Sequence, residues 1–216
     1  NGFAGEYACD GYDLYTYFPL SSVGGGDNGN DCWGWVDSES GREFVLFGRS
    51  DGMSVVEITD PLAPSFIANL PTATYPSLWR DIKVIGDYAF IGSEAGMHGM
   101  QILDLTQVLD LSGFPFNITA TSNYLGFGNA HNLAANPETN YVYGVGTNTF
   151  GGGLHIVDVS NPEAPFLAGS YDGAYSHDVQ PVIYNGLDAD YQGQEIVFCF
   201  NGQNGLAIVN AEDKSD

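Results

Sequence analysis

Gly153-Leu154-His155-Ile156-Val157-Asp158-Val159 is a glycine followed by an apolar strand, and the chain repeats the phrase three more times. The copies are Gly52-Met53-Ser54-Val55-Val56-Glu57-Ile58, Gly99-Met100-Gln101-Ile102-Leu103-Asp104-Leu105 and Gly205-Leu206-Ala207-Ile208-Val209-Asn210. The four glycines stand 47, 54 and 52 residues apart. Two copies run straight into a proline turn, Asp60-Pro61-Leu62-Ala63-Pro64 and Asn161-Pro162-Glu163-Ala164-Pro165. A unit of about fifty residues built from short strands is the signature of propeller blades.

Each unit divides into four strands. The innermost strand a is expected at 32–36, 79–84, 130–134 and 176–180. Strand b is expected at 43–48, 88–92, 141–146 and 195–200. Strand c is the glycine-led phrase, and strand d is expected at 65–70, 117–121 and 165–170. Strands b and c are apolar on nearly every residue, the pattern of a strand buried on both faces by neighbouring sheets. Ser40-Gly41, Ile85-Gly86-Asp87 and Asn136-Pro137-Glu138-Thr139-Asn140 place turn residues between a and b, where tight hairpins belong. The only helix candidate, 106–111, is a single turn.

The fold class expected is therefore an all-β propeller of four-stranded blades, at 24–74, 75–127, 128–174 and 175–216, after an N-terminal segment at 1–23. The fourth unit has no strand d. Residues 12–20 read as a lone strand d that closes the ring on the last blade. Either four units close as a small ring or the chain belongs to a larger one, since an open ring leaves blade faces exposed.

Composition narrows the partners. Lys and Arg number 5 against 27 Asp and Glu, a formal net charge of −22. Such a surface repels nucleic acid and anionic membranes and favours cations. No apolar run is long enough to span a membrane. Of the 3 cysteines, Cys9 and Cys32 lie in the loop-rich N-terminal region and form the disulfide candidate for an oxidising compartment. Cys199 lies in an apolar strand and reads as a buried thiol. Asn117-Ile118-Thr119 is an N-glycosylation sequon, Asn117 being the acceptor.

Trp79-Arg80-Asp81-Ile82-Lys83-Val84, Ala130-His131-Asn132-Leu133, His177-Asp178-Val179-Gln180 and Asp188-Ala189-Asp190-Tyr191-Gln192-Gly193-Gln194-Glu195-Ile196 resemble the choice-of-anchor B family of LVIVD-repeat surface proteins. The resemblance runs the length of the chain, in order. It implies export, display at the cell surface, further blades beyond residue 216 and no assigned reaction. The sequence departs from the family at Ser170 and Pro181, where members often carry Cys, and at Asn210, where the repeat usually has Asp.

The residues that carry chemistry cluster at the start of strand a. Trp33, Arg80, His131 and His177 are matched by position, followed by Gly34, Asp81, Asn132 and Asp178. Innermost strands converge on a central channel. Arg80, Asp81, His131, Asn132, His177 and Asp178 are therefore the ligand candidates, and His131 with His177 could hold a metal. Against this stands a purely structural role, since buried polar groups are normally hydrogen-bonded to neighbours.

Asp188, Asp190 and Glu195 place oxygens around Gly193 and are a calcium candidate, with Asp27-Asn28-Gly29-Asn30-Asp31 a weaker one. Trp33, Trp35 and Trp79 could stack on a sugar. Ser176-His177-Asp178 is not a triad, because adjacent side chains on a strand point to opposite faces. His98 and His155, at or near strand c, read as packing or edge residues. The functional expectation is an extracellular or cell-surface binding, adhesion or structural module. Calcium is the stabilising ion that this expectation allows for, and the expected partners are further blades, other chains, or glycan and matrix. The alternatives are a hydrolase or lyase using the channel residues, and a subunit of an extracellular filament.

Overall fold

The computed structural model describes residues 2–4, 7–11, 13–113 and 115–214. Strands β1 (Gly2–Ala4) and β2 (Tyr7–Cys9) form a small antiparallel hairpin. Four sheets follow, one per repeat.

The first sheet contains β3 (Gly29–Val36), β4 (Glu43–Arg49), β5 (Gly52–Glu57) and β6 (Ser65–Pro71). The second contains β7 (Arg80–Ile85), β8 (Tyr88–Ser93) and β9 (Met100–Asp104). Strand β10 (Phe116–Asn117) leaves that repeat and pairs in parallel with β6, as a fifth strand of the first sheet. Strand β11 (Ser122–Tyr124) then pairs with β9 as the outer strand of the second. The outer strand expected at 117–121 is thus split in two. The third sheet is β12 (Asn132–Asn136), β13 (Tyr141–Val145), β14 (Leu154–Asp158) and β15 (Phe166–Tyr171). The fourth is β16 (Asp178–Ile183), β17 (Glu195–Phe200) and β18 (Leu206–Asn210), in that order.

Inner strands lie side by side, β3 against β7, β7 against β12 and β12 against β16. The array is propeller-like. Its three apolar cores are the three spaces between successive sheets. Leu46, Val55 and Ile67 of the first sheet bury against Ile82, Ile91 and Leu103 of the second. Phe90, Met100 and Ile102 meet Leu133, Val142 and Val157. Tyr143, Leu154 and Ile156 meet Val179, Val197 and Cys199. This double-sided burial is why strands b and c read as unbroken apolar runs. Each fully buried Leu, Ile or Val contributes about 1.5–3 kcal/mol.

The repeated glycine has a steric cause. A Cβ at Gly52, Gly99 or Gly153 would run into the carbonyl oxygen of Leu70, Tyr124 or Tyr171, each on the outer strand of the same sheet. At Gly205 nothing lies within 4 Å, because β18 is the edge of a sheet with no outer strand.

The two outward faces differ. On the first sheet, Tyr15 and Phe18 lie over Val45, Phe47 and Val56, and Thr16 donates to the Pro61 carbonyl at 3.1 Å. Residues 13–19 form no strand, and Tyr12, the start of the expected ring-closing strand, lies outside the described residues. On the fourth sheet Phe200, Leu206 and Ile208 are exposed. No helix among the described residues is long and apolar enough to cross a membrane.

Candidate inner-strand site

Pairing fixes which inner-strand residues are equivalent. Cys32 faces Phe47, Ile82 faces Ile91, Leu133 faces Gly144 and Val179 faces Cys199. The preceding residues are then Asp31, Asp81, Asn132 and Asp178, and before them Asn30, Arg80, His131 and His177. The sequence match of Trp33 and Gly34 to Arg80 and Asp81 is corrected by three residues. The register of β3 is irregular between Gly29 and Cys32, and no sequence pattern reports that shift. Trp33 is half-exposed instead, with the Lys83 ammonium 4.9 Å from its ring centre.

Two grooves run along the inner strands. One is a cavity of about 370 Å³ lined by Asn30, Asp31, Trp79, Arg80, Asp81, His131, Asn132 and His177. Its neighbour includes Asp178 with Asp31, Asp81 and Asn132. All six sequence-chosen residues therefore line these grooves, and Asn30 and Asp31 join them.

Much of this chemistry is spent between sheets. Asn30 accepts the backbone N–H of Arg80 at 2.8 Å. Asp31 accepts that of Ile82 at 2.9 Å, and Asp81 accepts that of Leu133 at 2.5 Å. The Lys83 ammonium sits between the two carboxylates, 2.5 Å from Asp81 and 3.3 Å from Asp31. Burial, reinforced by the bond to Asp31, pushes Asp81 well above the usual carboxylate range. Burial also acts on Asp31, but the Asp81 hydrogen bond, the Ile82 N–H and Lys83 hold it below that range. Asn132 and Asp178 accept only their own next N–H, from Leu133 at 3.0 Å and Val179 at 2.8 Å, so Asp178 remains exposed on the groove.

Arg80 is not a ligand-facing group. Its guanidinium is 1% exposed and donates to the Arg49 carbonyl at 2.8 Å, Thr72 at 2.8 Å and His98 Nε2 at 3.0 Å. Burial lowers its pKa to about 10. His98 Nδ1 lies 3.0 Å from the Gly99 carbonyl, which fixes the tautomer that accepts from Arg80. Burial pushes His98 down to about 4. His155, buried between Tyr124 and Thr149, is likewise pushed down to about 4 by burial. Both are buried packing residues, His155 on β14 and His98 in the turn just ahead of β9.

His131 and His177 meet at the groove. Their Nε2 atoms are 2.9 Å apart, with ring centres 4.2 Å apart and planes at 60°. His131 Nδ1 lies 2.5 Å from Glu94 Oε1, and the Trp79 ring packs edgewise on His131 at 6.2 Å. Glu94, His131 and His177 come from the second, third and fourth repeats. Sequence reading missed Glu94 because it lies in the loop after strand b, outside the repeat alignment.

The remaining candidates separate. Glu195 is buried, with Oε1 accepting from Asn136 at 2.5 Å and Thr139 at 2.9 Å, and Oε2 from Lys214 at 2.8 Å. Asp188 caps the turn at Ala189–Tyr191 by accepting the Asp190 N–H. The calcium set Asp188, Asp190 and Glu195 is therefore not assembled: Glu195 is withdrawn into an ion pair. Among the described residues no three His, Cys, Asp or Glu side chains converge as a metal cluster. Trp35 is buried and donates to Asp87 at 3.2 Å, which leaves Trp79 on one groove and Trp33 on the other as the exposed rings. Cys32 is an exposed cysteine on β3, and Cys9 is buried on β2. Burial raises the Cys199 thiol to about 11. Asn117 is exposed on β10, its amide oxygen accepting from Asn69 at 2.7 Å.

Sheets repeated along the chain, with polar groups collected on adjoining inner strands, define a propeller-like repeat protein. The LVIVD repeat matches residues 79–105 and 128–173. No curated protein matches the chain significantly. Among solved structures, the extracellular domain of a one-component system from B. thetaiotaomicron aligns over 92% of this chain with 14% identity and a TM-score of 0.38. The alignment spans 33% of that chain.

Proposed function

We propose that this chain is part of an extracellular or cell-surface β-propeller of the choice-of-anchor B type, acting as a glycan-binding or structural module and not as an enzyme. The observation that carries the reading is the inner-strand groove. It offers hydrogen-bonding side chains with spare capacity, Asn132 and Asp178, beside the exposed Trp79 ring. Sugars are held by this combination of polar side chains and an aromatic face. Asp31, Asp81 and Arg80 are tied into inter-sheet bonds, which leaves His131 and His177 as the groove's remaining acid–base groups. The acidic surface supports a role among neutral or cationic partners. The exposed apolar face of the fourth sheet supports its being covered by a further blade.

The test is a glycan array probed with the purified chain and with Trp79→Ala and Asn132→Ala variants. Retention of a defined glycan by the parent, lost in both variants, supports the reading. Turnover of an ester or glycan substrate that depends on His131 and His177 would replace it with the hydrolase or lyase alternative.

A further inference from the structure

We infer that His131 and His177 form a two-imidazole site for a divalent late transition metal ion, zinc or copper, that clasps the third and fourth sheets. The inference does not depend on the glycan reading; it needs only the geometry at the head of the inner strands.

The two Nε2 atoms lie 2.9 Å apart, on rings inclined at 60°. Two imidazoles on a tetrahedral ion hold their nitrogens ~3.3 Å apart, given metal–nitrogen bonds of about 2.0–2.1 Å. A rotation of a few tenths of an ångström admits the ion. The tautomer is set on one side. The Glu94 carboxylate, 2.5 Å from His131 Nδ1, accepts that N–H and leaves the Nε2 lone pair aimed at His177. A carboxylate behind a ligating histidine orients the ring and raises its basicity. Trp79 braces the same ring from the side. His177 donates its Nε2 proton across this contact in the metal-free chain; it is exposed, so that proton moves to Nδ1 through water and frees the second Nε2 lone pair for the ion.

With two protein ligands the remaining positions belong to water or to a ligand's oxygen, and the groove at this point is open. Imidazole donors select copper, nickel and zinc over calcium and magnesium. The site is thereby chemically distinct from the carboxylate surface, whose hard oxygens favour calcium.

The test uses the whole chain carrying Cys32→Ser, so that the exposed thiol does not compete, in about 0.3 M salt to screen the acidic surface. Zinc is titrated by calorimetry while the imidazole resonances are followed by NMR; the chain has only 4 histidines. One ion per chain is expected. The His131 and His177 signals shift, while those of the buried His98 and His155 stay in place. Affinity falls at least tenfold in His131→Ala and in His177→Ala, and also falls in Glu94→Gln. Asp188→Asn binds like the parent. Near-UV circular dichroism of the metal-free variants checks that they remain folded. Unmoved His131 and His177 resonances in the parent, or binding that survives both alanine changes, overturns the inference.

Discussion

The Asp81 carboxylate on β7 accepts the Leu133 backbone N–H on β12 at 2.5 Å. Asp31 does the same for Ile82 one repeat earlier, at 2.9 Å. An acidic residue at the same place in the first and second repeats thus satisfies an inner-strand donor of the next sheet that has no ladder partner on that side. Orphaned buried donors are costly, so these residues set the spacing of the sheets before they do anything else. The groups left over, His131, Asn132, His177 and Asp178, are the ones open to a ligand.

Asp81→Ala leaves both the Leu133 N–H and the Lys83 ammonium without their nearest acceptor, and should cost about 3 kcal/mol of stability. Asp81→Asn keeps an acceptor for Leu133 and should cost less. Urea unfolding followed by tryptophan fluorescence measures both; equal losses would mean that the hydrogen bond to Leu133 is not what matters. The pH signature differs as well. Asp81 holds its proton more tightly folded than unfolded. Its contribution is fullest in acid and declines as pH rises through its raised folded value, a decline that Asp81→Asn removes.

His98 and His155 act in the opposite sense. Burial lowers both from 6.5 to about 4. The unfolded chain then binds more protons across that interval, so their contribution is complete above about pH 6.5 and is lost as pH falls toward 4. Each adds at most about 1.4 kcal/mol per pH unit. His155→Gln, which keeps a polar partner for Tyr124 and Thr149, should flatten the acid limb of a stability–pH curve. An unchanged limb would show that His155 titrates normally.

The glycine that reveals the repeat also tests the account of the outer strands. Gly153→Ala would drive a methyl group into the Tyr171 carbonyl, and should cost 3 kcal/mol or more, in the range of severe overpacking. Gly205→Ala meets no neighbour and pays only for its backbone, φ +83° and ψ −143°, a conformation kept almost wholly to glycine, about 1–3 kcal/mol. Thermal melts of the two variants rank them directly. A reversed order would mean that another strand covers Gly205 in solution.

The contrast between these two glycines shows what was legible in the sequence. Strands b and c were placed within a residue or two because burial on both faces leaves an unmistakable apolar run. The inner strands were legible through His131, Asn132, His177 and Asp178. The first repeat was misaligned because the irregular pairing between Gly29 and Cys32 is a backbone event with no residue signature. The second outer strand was misplaced because Phe116 and Asn117 pair with the preceding sheet, a choice made by tertiary contacts. Glu195 read as a calcium ligand from loop spacing. Its burial against Asn136, Thr139 and Lys214 depends on residues far from it in the chain.

Glu195 is buried in an ion pair with Lys214. Burial alone would raise its pKa, but the Lys214 ion pair and the bonds from Asn136 and Thr139 hold it below the ordinary range. Its contribution is present above the unfolded carboxylate value near 4.5 and is lost as pH falls through the depressed folded value. Removing one member of a buried pair leaves the other uncompensated, so Glu195→Ala should cost about 3–5 kcal/mol. Since both oxygens are committed within the protein, calcium should not compete for them. Differential scanning calorimetry with 5 mM calcium (roughly a saturating level for an extracellular module) should give parent and Asp188→Asn the same melting shift. A calcium-induced rise in melting temperature that is specific to the parent would place a cation on this loop and reassign Glu195.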